Sequence, residues 1–171
     1  MQHLISAETI STELAENLAV LNELFPTLVK DMKHEHEYQN LVLVCQDLVS
    51  NKLIPFVQSL NINLIDWIHL LEKTPGYISP GSDVPSIISL DEMNQKATNV
   101  NEIIKDLLEK MTTIEDHLKS KKHTINEIFT ILQEKIVPKS QNMAIHIIDC
   151  INDNNITDEA EIKEMIDENK L

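Results

Sequence analysis

Apolar residues return every three or four positions along most of this chain, the spacing that puts them on one face of an α-helix. From Ser6 onward, Ile10, Leu14, Leu18, Leu21, Phe25 and Leu28 make one such stripe. Pro26 falls inside it. Proline lacks an N–H and fixes φ, so it predicts either a kink or a helix that restarts with proline at its first position. The near-continuous apolar run "LVLVCQDLVSNKL" predicts a second helix, deeply buried. Pro55 interrupts again, and "NLIDWIHLLEK" reads as a short third helix.

Between Thr74 and Ser86 the periodicity stops. "TPGYISPGSDVPS" holds three of the six prolines and both glycines of the protein. Its length exceeds the usual interhelical turn. A crossover between halves of one bundle explains it better than a lid or a binding loop, because neither half alone offers a large core.

The second half is more regular. Leu90, Met93, Ala97, Val100, Ile104, Leu107, Met111, Ile114 and Leu118 alternate in steps of three and four. A repeat this strict specifies a seam against another helix. Ile103 and Leu108 widen the stripe, which favours a globular bundle over a two-stranded coiled coil. Lys119, Lys121 and Lys122 gather where they would complement a helix C-terminus. "TINE", Thr124 to Glu127, has the form of a capping box. Pro138 predicts a kink or split before the segment Ser140 to Ile151. After the polar "NDNN", the stretch "TDEAEIKEMIDE" opens with acids, as a helix N-terminus should.

The expectation is an all-α fold. It is a single domain over 1–171, an antiparallel bundle of six or seven helical segments, several broken by proline. Helices over 6–73 and 89–168 flank the irregular connection 74–86.

Composition agrees and narrows the function. A chain of 171 residues, 42% hydrophobic and 25% charged, with two glycines and 4% aromatics, suits a helical domain better than a strand-and-turn fold. The net charge is −14, and every basic residue other than histidine is lysine. Arginine supplies bidentate contacts to phosphate and guanine, so an acidic chain without it is unsuited to nucleic-acid or phosphopeptide binding. "MQHLISAETI" lacks the pattern of a signal peptide, and no apolar run reaches the length of a membrane span. Cys45 and Cys150 match no metal or redox spacing. These features predict a cytoplasmic protein, or one delivered into a host cytoplasm.

Candidate chemistry is sparse. "HEHEYQ" looks like a chelating run, but residues two apart on a helix lie on roughly opposite sides, so His34 and His36 do not close on one ion. His34 neighbours Tyr38, and Glu37 reaches Lys33. Asp66, His69 and Lys73 form the polar stripe of their helix. His146 and Cys150 stand one turn apart and supply half of a zinc site, which needs two further ligands from another helix. No Glu-x-x-His pair of the di-iron type occurs. His117 departs from the His-x-x-Lys-Gly pattern of histidine phosphotransfer bundles, with Ser120 at the lysine position. "DNNITDEAEIKE" has spaced oxygen donors but Asp158 where a calcium loop turns on glycine. No phosphate loop or nucleophile motif appears. The chain therefore offers no catalytic, cofactor or metal residues.

The reading that remains is a non-enzymatic protein-binding module, adaptor or chaperone-like, such as a secretion chaperone or a bacterial or viral effector. A groove between helices would receive an amphipathic segment of a protein partner. Met93 and Met111 are its candidate lining, since methionine adapts to varied surfaces. The 90–118 seam also offers a surface for a homo-oligomer. The alternative is a helical-bundle metal-binding protein or enzyme using dispersed His, Glu and Asp. An acidic mimic of nucleic acid fits less well, because Lys121, Lys122, Lys135 and Lys139 offset Glu127, Glu134 and Asp149.

Overall fold

The computed structural model describes residues 1–33, 36–73, 87–118 and 123–154. All of its elements are helical. The connection 74–86, the lysines at 119–122 and the segment from 155 onward lie outside the described residues. So does His34.

Helix α1 is Gln2–Asp31. Its stripe starts earlier than the sequence reading placed it, with Leu4 and Ala7 buried, and it runs without a break through Pro26 to Phe25, Leu28 and then Met32. Ser11 occupies one core position of the stripe. Its hydroxyl donates to the Glu8 carbonyl at 2.7 Å, which satisfies the group where no water reaches it.

The second rod comprises α2 (His36–Asp47), a π-helical turn (Leu48–Leu53) and α3 (Ile54–Lys73). The sequence dictates the π turn. Fully buried residues fall at Val42, Cys45, Val49, Leu53, Val57, Leu60 and Leu64, so three successive steps are four residues long. A straight α-helix would rotate these side chains off the core. A turn closed by i→i+5 bonds takes up one extra residue and keeps them facing inward.

Helix α4 (Leu90–His117) starts at Ser89, whose hydroxyl accepts the Glu92 N–H at 3.0 Å. The fourth rod comprises α5 (His123–Ile131), a second π turn (Leu132–Ile136) and α6 (Val137–Asn154). Here Ile128, Leu132, Ile136 and Ser140 again make consecutive steps of four. Helix α5 begins one residue before Thr124, and Glu127 meets His123 at 2.5 Å. The "TINE" box therefore lies inside the helix.

Four rods thus stand among the described residues in place of six or seven segments. The prolines do not divide them. A proline clashes with the carbonyl four residues back. For Pro55 and Pro138 that carbonyl belongs to Asn51 and Glu134, both inside a π turn.

Neighbouring rods run antiparallel. His3 meets His146 and Asn17 meets Lys139 along the first and fourth rods. Asn61 reaches Ser11 and Gln39 reaches the Val29 carbonyl along the first and second. Along the second and third, Trp67 Nε1 donates to the Ile88 carbonyl at 2.7 Å, and Lys96 binds Ser59 and Asn63. Helices α1 and α4 each pack against both of the rods that contain a π turn, called the proline rods below for Pro55 and Pro138. One cluster of apolar side chains fills the interior between all four.

The second half repeats the first. Leu4, Ala7, Ser11, Leu14, Leu18 and Leu21 correspond in step to Leu90, Met93, Ala97, Val100, Ile104 and Leu107. The proline rods align even more closely: Lys52, Pro55, Gln58, Ile62, Ile65, Asp66 and Ile68 recur as Lys135, Pro138, Gln141, Ile145, Ile148, Asp149 and Ile151. The two halves share one order of elements, a long helix followed by a helix, a π turn and a helix.

Two expectations about burial change here. Leu43 and Val44, in the run expected to be deeply buried, are 47% and 46% exposed. A corner rod of a four-helix bundle buries one side only, so an apolar run without gaps must place some residues outside. Met93 and Met111 are fully buried in the core and line no groove. The whole 90–118 seam packs against rods of the same chain, which leaves it unavailable to a second copy.

Candidate functional site

Most histidines stay apart. His36 and His69 are exposed on their rods. His117 ends α4 and stacks on Tyr38, with ring centroids 4.6 Å apart and a 23° tilt. Its Nδ1 lies 2.8 Å from the Thr113 carbonyl, which only accepts, so Nδ1 carries the proton.

One pairing was invisible in the sequence. His3, near the start of α1, faces His146 of α6 with Nδ1 atoms 3.1 Å apart and ring centroids at 5.4 Å. The partner sought for His146 was Cys150, one turn along; the structure supplies His3 from another helix. A direct bond between the rings needs one Nδ1–H and one bare Nδ1. The same two atoms sit close enough to share one metal ion as neighbouring ligands at about 2.0–2.1 Å each. Among the described residues, no group of three or more His, Cys, Asp or Glu side chains converges on a metal position.

The cysteines are buried and free of disulfide. Burial pushes the Cys45 thiol up from 9.0 to about 12, against a smaller downward pull from the Lys110 ammonium. Lys110 itself hydrogen-bonds Asp106 at 2.7 Å, which raises its own pKa. A thiol held protonated in the core is a packing group, not a nucleophile.

The polar links between rods are structural in the same sense. Ser140 of α6 donates to Asn101 of α4, both beside the core. The side-chain oxygens of Asn22 and Asn94 are buried with no hydrogen-bond partner among the described residues. The two halves explain one of them. Glu8 and Asn61, bonded in the first half, correspond to Asn94 and Ala144 in the second, where the donor has been replaced by a methyl.

The outer faces carry several large apolar side chains among their polar residues. Large hydrophobic side chains stand in solvent at Leu43 and Val44 on α2, Ile62 on α3, and Ile145 and Ile148 on α6. Ile62 and Ile145 are 59% and 51% exposed. The sequence carried the signal: these residues fall between the core positions of their rods, at Ile62 between Leu60 and Leu64, and at Ile145 between Met143 and Ile147.

No family model, curated protein sequence or solved structure matches this chain. Among the described residues no helix is long and apolar enough to cross a membrane.

Proposed function

We propose that this chain is a non-enzymatic protein-binding module, an adaptor or chaperone-like bundle of the kind used as a secretion chaperone or as a bacterial or viral effector, working in a cytoplasm. One observation carries the reading: large apolar side chains are held in water on rigid outward helix faces, while the core is already filled by others. Apolar residues scattered singly over a surface are ordinary, but adjacent pairs such as Leu43 with Val44, and Ile145 with Ile148 one turn apart, gain free energy when a partner covers them. The partner would lie along the outside of a rod, not in a groove between helices. Affinity capture from the native cell tests the idea, with a variant carrying Leu43→Asp, Val44→Asp, Ile62→Asp and Ile145→Asp as the comparison. A protein retained by the natural chain and lost with the variant is expected; equal capture by both sinks the reading.

The His3–His146 pair favours a second reading, a metal-binding bundle. Elemental analysis of purified protein, followed by nickel titration of the natural chain and of His146→Ala, decides it. Stoichiometric metal lost in the variant would establish the site, and no metal in either would remove it.

A further inference from the structure

Where the two proline rods align, the usual relation between core and surface is inverted. Five buried positions have changed: Leu53 to Ile136, Val57 to Ser140, Leu60 to Met143, Leu64 to Ile147 and Trp67 to Cys150. Some of these exchanges remove a large part of a side chain from the core, where volume changes are costly. Most residues common to both rods lie elsewhere, the exception being Ile68, half-buried, and its counterpart Ile151, buried. Gln58 and Gln141 are exposed, as are Ile62 and Ile145, and Asp66 and Asp149 are half-buried. Ile65 is half-buried and its counterpart Ile148 is 40% exposed. Surface positions are the ones that substitution leaves nearly unaffected in stability, so folding alone gives no reason to keep an isoleucine in water twice.

Gln58, Ile62 and Ile65, like Gln141, Ile145 and Ile148, step by four and then three residues, the spacing of a seam that receives another helix. Along each rod's own sequence the charge beside the stripe is acidic, although Lys96 of α4 binds Ser59 and Asn63 next to Ile62. Between Leu53 and Glu72 there is no lysine, and Asp66 lies one residue past Ile65. Between Ser140 and Asn152 the charged residue is Asp149, one past Ile148. The chain as a whole carries −14.

From these observations, and resting on the protein-binding reading above, we infer that each proline rod is a docking stripe for a basic amphipathic helix of a partner protein, so that one chain binds two such helices on opposite sides of the bundle. The partner's apolar stripe covers the isoleucines, and lysine or arginine at its edge meets Asp66 or Asp149. Each stripe spans about two turns, well below the roughly 1,000 Å² of a stable single interface. A partner that presents two helices gains by engaging both.

The probe is a fluorescent synthetic helix of leucine and lysine, about 18 residues long, with leucines at seam spacing; a leucine–glutamate peptide of the same pattern is its control. Anisotropy titration should give two peptides per natural chain, one for Ile62→Asp, one for Ile145→Asp, and about tenfold weaker binding for the double variant. The acidic control should not bind. Circular dichroism should be unchanged in the variants, because both isoleucines are exposed. Peptide binding that persists in the double variant, or no binding to the natural chain, overturns the proposal. If Leu43→Asp with Val44→Asp abolishes binding instead, the protein-binding reading stands at α2 and the stripes fall. Self-association of the natural chain that vanishes in the double variant would make the occupant a second copy, and would likewise overturn it.

Discussion

Pro55 and Pro138 each stand two residues beyond the end of a π-helical turn. The turn takes up one surplus residue in the core pattern and redirects the carbonyl that the proline ring would strike. Asn51, exposed within the first π turn, is therefore removable. Its deletion converts the rod to the regular three-and-four spacing but returns a carbonyl to the Pro55 ring, so made together with Pro55→Ala it should cost within about 0.5–3 kcal/mol. Deleting Gln58, equally exposed but inside α3, turns Leu60, Leu64 and Trp67 away from the core and should abolish cooperative unfolding. Urea melts of the two deletions check this, and equal losses would show that the π turn is not what absorbs the residue.

Asn22 keeps its side-chain oxygen buried without a partner among the described residues, and the corresponding position in the second half is Leu108. Replacing a buried, unpaired polar group by an apolar one of similar size removes its desolvation penalty. Asn22→Leu should raise stability by about 1 kcal/mol, visible as a higher unfolding midpoint. A lower midpoint would mean that the amide is paired in solution.

Leu107 is fully buried at the centre of the α4 seam, whereas Glu109 is exposed. Leu107→Ala should cost about 2–5 kcal/mol through lost transfer energy and a residual cavity. Glu109→Ala should change stability by less than about 0.5 kcal/mol. Similar denaturation midpoints for the two would contradict the packing of α4.

Cys45 gives a pH dependence of known sign. Below pH 9.0 its thiol is protonated whether the chain is folded or not. Above that value the unfolded thiol loses its proton, while the buried one keeps it until about pH 12. The unfolded state then binds fewer protons, so stability falls as pH rises, by about 1.4 kcal/mol per pH unit across this window. Cys45→Ala removes that slope. Guanidinium melts at pH 8 and pH 10, as order-of-magnitude choices around the onset, compare the two proteins; identical slopes would show that the thiol ionises freely in the folded state.

The helices themselves were readable because burial on one face leaves a periodic trace, and Leu90 to Leu118 shows it without a gap. The expectation of six or seven segments weighs proline for the hydrogen bond it loses, whereas a run of four-residue steps around Leu53 and Ile136 specifies a turn that tolerates it; the last expected segment lies outside the described residues. The repeat is faint in the sequence because corresponding core residues, such as Trp67 and Cys150, share a position and not a side chain. His3 and His146 meet because α1 and α6 become neighbours, a fact of assembly that no local spacing encodes. The outward isoleucines were in view from the start, and only the filled core showed that they have nothing inside to cover them.

Because each half buries a stripe of similar spacing against the other, matched positions are free to differ: Asn61 bonds Ser11 in one half, where the other has Ala144 and Ala97.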